Sequence, residues 1–121
     1  MTQALSRSHQ PSYDTVKQTS DNYHLDRASV RQILGISEST QFRYEKKNPL
    51  LKPNLADRWS RFERILQQAE ELFEDKTETQ RWLSTAKTAL AGKTPIEAVS
   101  TDAGSRQVEQ ILTRAEYGIF S

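Results

Sequence analysis

The chain has 121 residues, 27% of them charged and 35% hydrophobic, enough for one domain or two very small ones. That balance suits a soluble, surface-rich helical protein and argues against a large enzyme with a deep core. The absence of cysteine excludes disulfides, thiolate chemistry and Cys-based zinc sites.

A net charge of +1 hides an asymmetry. Residues Met1–His24 balance to zero. Leu25–Arg64 holds nine Lys/Arg against five Asp/Glu, a net +4, and Ile65–Ser121 holds six against nine, a net −3. A basic middle suits a polyanion such as DNA, and an acidic C-terminal part does not. His9 and His24 lie in a polar stretch without ligand spacing, so no metal is expected. No apolar run approaches the roughly 20 residues of a membrane span. Met1–Arg7 has no apolar signal-peptide core, so a cytoplasmic location is expected.

In chain order, Met1–Asn22 is rich in Ser, Thr and Gln and poor in aliphatics. Residues 1–24 are therefore expected to be mostly disordered, with room for a short helix near Tyr13–Thr19. Asp26 can cap a helix running to Leu34, with Val30, Ile33 and Leu34 on its apolar face. Gly35 supplies a turn that needs a positive φ. Ser37 caps a second helix reaching about Lys46, which Asn48-Pro49 ends.

Pro53 then sits well as the first residue of a third helix. Leu55, Trp59, Phe62, Leu66, Ala69 and Phe73 recur at steps of three and four, a single apolar stripe. The stripe is heptad-like, so it serves either an internal core or a dimer seam. A short helix is expected near Thr77–Ser84, with Thr77 and Gln80 as a capping box and Trp82 and Leu83 as buried anchors. Leu90–Lys93 reads as a loop. Thr94, Pro95 and Glu97 form a strong helix start as N-cap, first residue and capping-box partner. The last helix starts near Thr101, with Val108, Ile111, Leu112 and Ala115 inside and Gly118 at its end. No segment alternates with period two for long enough to be a strand, so the chain reads as all-α.

Leu34-Gly35-Ile36-Ser37 joins two short helices in the manner of a helix–turn–helix. Ser39, Thr40, Arg43 and Lys47 fall near one face of the second helix, and such residues bond phosphates and base edges. Ser37 at the helix start leaves N–H groups aimed outward as a phosphate seat. Arg43 is the candidate base reader, and Lys46, Lys47 and Lys52 suit phosphate neutralisation. The competing reading is an ordinary helical hairpin with polar caps. Gln41 falls where such a motif usually buries an aliphatic side chain, which leaves Phe42 to take over that packing. Gly92-Lys93-Thr94 lacks the upstream glycine and preceding strand of a phosphate loop and reads as a helix start. Glu109 and Glu116, two turns apart on a solvated face, do not make a catalytic pair. The final Tyr117-Gly118-Ile119-Phe120-Ser121 offers apolar groups and a carboxylate that could bury in another molecule.

Gly35-Ile36-Ser37 with Arg43-Tyr44-Glu45-Lys46-Lys47-Asn48-Pro49 resembles the recognition helix and exit of Xre-type regulators. Leu72-Phe73-Glu74-Asp75, Arg81-Trp82-Leu83, Ala89 through Glu97, and Arg114-Ala115-Glu116-Tyr117-Gly118 resemble the toxin-binding domain of antitoxins partnered with RES-domain toxins. Together the two cover roughly Leu25–Ser121. The resemblance implies a helix–turn–helix region over 25–64 that runs into a long helix, followed by a small helical toxin-binding domain over 65–121. It implies operator DNA and a cognate, NAD-consuming RES-domain toxin as partners. The antitoxin would be a homodimer without a cofactor or activity of its own. DNA contacts would come from Ser37, Ser39, Thr40, Arg43, Lys46 and Lys47. Toxin contacts would come from Lys93, Thr94, Pro95, Arg114, Glu116, Tyr117, Gly118, Ile119, Phe120 and Ser121, with Tyr117, Ile119 and Phe120 filling the toxin's entrance. The alternative is a stand-alone dimeric Xre-like transcription regulator whose C-terminal half only dimerises. A small enzyme is a third and weaker reading.

Overall fold

Short polar side chains open most of the helices. The structure, a computed structural model, describes residues 10–118. The expectations for His9, Ile119, Phe120 and Ser121 therefore fall outside the described residues. Seven α-helices follow one another within this span: α1 (Tyr13–Asn22), α2 (Arg27–Leu34), α3 (Glu38–Lys47), α4 (Pro53–Phe73), α5 (Lys76–Leu83), α6 (Pro95–Ala98) and α7 (Asp102–Glu116). A 3-10 turn at Thr88–Leu90 lies between α5 and α6. Among the described residues there is no strand, only an isolated bridge between Ser12 and Leu50. None of their helices is long and apolar enough to cross a membrane.

Asp26, Ser37 and Thr101 each accept a hydrogen bond from the backbone N–H three residues on. Thr94 and Glu97 complete the capping box, with Thr94 N–H donating to Glu97 Oε1 at 2.9 Å and Glu97 N–H to Thr94 Oγ1 at 3.1 Å. The start of α5 differs from the expectation. Asp75 is the cap, accepting from the Glu78 N–H, and the helix begins one residue before Thr77. A carboxylate at the helix entrance is the stronger acceptor, and Thr79, fully buried, donates back to the Asp75 carbonyl.

The N-terminal segment also differs. Residues Tyr13–Asn22 form a full helix, and Tyr13, Val16 and Ser20 are buried. The backbone before it is held by pairing with the α3–α4 connection. Tyr13 N–H donates to the Pro49 carbonyl, and Leu51 N–H to the Pro11 carbonyl, both at 2.8 Å. Few apolar residues suffice here, because Tyr13 and Val16 enter a core already built by α2–α4.

Helix α4 carries the core. Leu55, Trp59, Phe62, Ile65, Leu66 and Ala69 are all buried in the monomer, covered by α2, α5 and α7. Each large side chain moved out of water contributes about 2 kcal/mol. The stripe is thus an internal core rather than an open seam. Buried residues from α1 through α7 form one continuous cluster, and α2 also packs on α6. Trp82, expected as a buried anchor, is half-buried, tilted against Phe73 at 5.9 Å with Lys87 Nζ 4.7 Å from its ring centre.

Two glycines are required by geometry. Gly35 ends α2 at φ +69, and the Arg58 guanidinium lies 2.9 Å from where a Cβ would stand. Arg58 Nε donates to the Ile33 carbonyl at 3.1 Å, so α4 grips the α2–α3 turn. Gly104, in the first turn of α7, lies against the backbone of Ala98 at the end of α6. A Cβ there would collide with the Ala98 carbonyl. Gly104→Ala should therefore cost about 3 kcal/mol in urea unfolding, since neither backbone can yield cheaply.

A polar relay joins the far ends of α1 and α4. The Tyr23 hydroxyl donates to Glu70, and Lys76 Nζ reaches the same carboxylate at 2.8 Å. Burial, and then the bond to Glu70, push the Tyr23 phenol up to about 12. The Lys76 ammonium holds Glu70 below the usual 4.5, and the Arg27 guanidinium does the same for Glu45. The carboxylates are lowered in the fold, so their stabilisation is present above about 4.5 and lost as pH falls through the folded values. The phenol is raised, so its contribution is present below 10.0 and lost as pH climbs from there towards about 12. Urea midpoints measured across pH should fall at both ends, and Glu70→Gln should reduce both losses.

Candidate DNA and toxin interfaces

The outer face of α3 is the first candidate surface. At 3.6 residues per turn, Ser39, Phe42, Arg43 and Lys46 share a sector of about 100°, flanked by Thr40 and Lys47. Ser37, Ser39, Arg43, Lys46 and Lys47 are exposed and Thr40 is partly so. The Ser37 hydroxyl accepts the Thr40 N–H at 3.1 Å and lies 3.3 Å from the Ser39 hydroxyl. The helix N-terminus is thus lined by hydroxyls suited to a phosphate oxygen. Among the described residues Arg43, Lys46 and Lys47 form no salt bridge. The acidic groups nearby are otherwise engaged. Arg27 holds Glu45 through two bonds of 2.9 and 3.0 Å and lies 4.0 Å from Glu38. Sequence reasoning placed these cations together, and the fold does so.

Gln41 and Phe42 exchange the roles expected for them. Gln41 itself is buried, with 1% exposure. Its amide nitrogen donates to the Arg27 carbonyl at 3.1 Å and to the Tyr13 hydroxyl at 3.4 Å, and its oxygen accepts from Arg31 at 2.8 Å. These partners satisfy a polar side chain in a slot otherwise suited to an aliphatic one. Phe42 stays outside, 57% exposed, with Lys46 Nζ 5.1 Å from its ring centre. At about 100° per residue Gln41 faces away from the Ser39–Arg43 sector, and its hidden partners let a polar side chain take that inward place.

The second surface is spread along α7. The Lys93–Pro95 loop lies at the start of this helix, beside Gly104 and Gln107. Of its three candidate residues Lys93 is exposed. Thr94 is partly buried and its hydroxyl caps α6, while Pro95 is buried. The other cluster lies at the far end, about 20 Å away along fifteen residues of helix. Arg114, Glu116, Tyr117 and Gly118 are all exposed there, and Tyr117 is 74% so. Between the two ends, Arg106, Glu109, Gln110, Thr113 and Arg114 line a shallow groove. Among the described residues no group of three or more His, Asp or Glu is placed to hold a metal ion.

The fold is a helix–turn–helix region running through a long helix into a small helical C-terminal region. Residues 7–64 match the antitoxin Xre-like helix-turn-helix domain, and residues 68–118 match the antitoxin Xre/MbcA/ParS C-terminal toxin-binding domain. The chain belongs to the Xre family of antitoxins. It is similar to the antitoxin Xre of Yersinia enterocolitica, 28% identical over 106 residues, which span 84% of this chain and 72% of that protein. It is also similar to the antitoxin Xre of Pseudomonas putida, 34% identical over 76 residues, which span 63% of this chain and 47% of that one. The helix–turn–helix match begins well before Leu25, in keeping with the place of α1 in the fold.

Proposed function

We propose that this antitoxin neutralises a cognate RES-domain, NAD-consuming toxin in the cytoplasm by covering its active site with the C-terminal region. Its helix–turn–helix binds the operator of its own operon as a homodimer. The observation that carries the toxin-binding half is Tyr117. A large aromatic side chain stands in solvent at the end of a helix whose inner face, Val108 and Leu112, is fully anchored. A rigid base with an unburied aromatic at its tip is the arrangement of an interface anchor. The match of residues 68–118 to a toxin-binding domain supports the antitoxin reading over a stand-alone regulator.

A chain ending at Arg114 should keep its helical content and thermal transition yet fail to protect cells expressing the toxin. Tyr117→Ala in the full chain should weaken toxin binding by about 30-fold, as loss of an anchor worth about 2 kcal/mol does. Full protection by the shortened chain would remove the blockade from the mechanism. On the DNA side, Arg43→Ala should relax base preference at one position of each half-site. Lys47→Ala should lower affinity for all sequences alike and flatten the log–log salt dependence by about one counterion.

A further inference from the structure

We infer that Phe42 reads thymine, through contact of its ring with the C5-methyl group in the major groove. This deepens the proposed operator binding and rests on it. Phe42 is more than half exposed at one edge of the outward sector of α3 that holds Ser39, Arg43 and Lys46. The fold does not need it there, because Gln41 fills the inward slot and meets three polar partners. Single exposed apolar residues are common, and what distinguishes Phe42 is its place beside cations on the outward face of α3.

The surroundings choose its partner. Phe42 is the lone large apolar group on its sector, too little for a stable protein–protein contact. Lys46 lies over its ring, and Arg43 and Lys47 share the same helix; none of the three has an acidic partner among the described residues. Those charges bring a polyanion to this face. Within the major groove the thymine methyl is the apolar group that a ring can meet, and it distinguishes thymine from every other base. The Lys46 ammonium lies over the ring at 5.1 Å, leaving the ring's other parts open to the groove. Arg43, one residue on and about 100° around the helix, is placed to meet a neighbouring base pair.

The experiment separates this reading from DNA binding in general. The full chain selects a duplex from a random-sequence pool. That duplex is then remade with each dT replaced singly by dU, which removes only the methyl group. Binding is followed by fluorescence anisotropy. The unmodified chain should lose about fourfold in affinity at one thymine per half-site, the effect of one methyl leaving an apolar contact. Phe42→Ala should bind the dT and dU duplexes equally, with an unchanged circular dichroism spectrum. Arg43→Ala should retain the dU loss. Phe42→Ala that keeps the full dU loss, or an unmodified chain indifferent to dU at every position, overturns the inference and leaves operator binding standing. A change of oligomeric state in Phe42→Ala without any change in dU response also overturns it. If the unmodified chain selects no duplex and shows no salt-sensitive binding, operator binding falls together with it.

Discussion

Helix α4 has one apolar row and two sets of neighbours, and the rest of the structure depends on that arrangement. Leu55 and Trp59 lie towards the α2–α3 end, while Ile65, Leu66 and Ala69 serve the helices after it. Sharing one helix gives both halves a single core, in which α2 also rests on α6. Arg58 adds a polar tie by donating to the Ile33 carbonyl beside the α2–α3 turn. Helix α3 is therefore positioned by the same element that supports α7.

The two surfaces are built on different physical terms. On α3, the cations form no salt bridge among the described residues, while Glu45 and Glu38 are drawn aside by Arg27. The result is a face whose long-range attraction is not cancelled by its own neighbours. On α7 the outward side chains are mixed in sign: Arg106 pairs with Asp102, and Glu109 lies 4.0 Å from Arg64. Such a face offers shape and hydrogen bonding more than charge, with Tyr117 as its apolar point. The distance between the Lys93 loop and Tyr117 means that a toxin touching both must lie along the whole of α7.

Several features were legible before any coordinates. Caps at Asp26, Ser37 and Thr94, a last helix starting near Thr101, the proline start of α4 and the left-handed Gly35 are local chemistry, decided within a few residues. Other features were not legible. The α1 segment looked too polar to fold because its support comes from residues 49–51, far along the chain. Gln41 looked misplaced because its partners, Tyr13, Arg27 and Arg31, are gathered only by the fold. Gly104 gave no signal, since its requirement is the approach of a second backbone.

By itself the sequence determined the all-α class, the order of helices, the cationic character of α3 and the aromatic end of α7. Those properties follow from periodicity, capping and charge, which act over one or two turns. Only the tertiary structure decided that the α4 stripe is a core and not a seam, that α1 belongs to the helix–turn–helix, and that Phe42 stays outside while Gln41 goes in. Each of those choices depends on which distant groups arrive to cover an apolar row or complete a hydrogen bond.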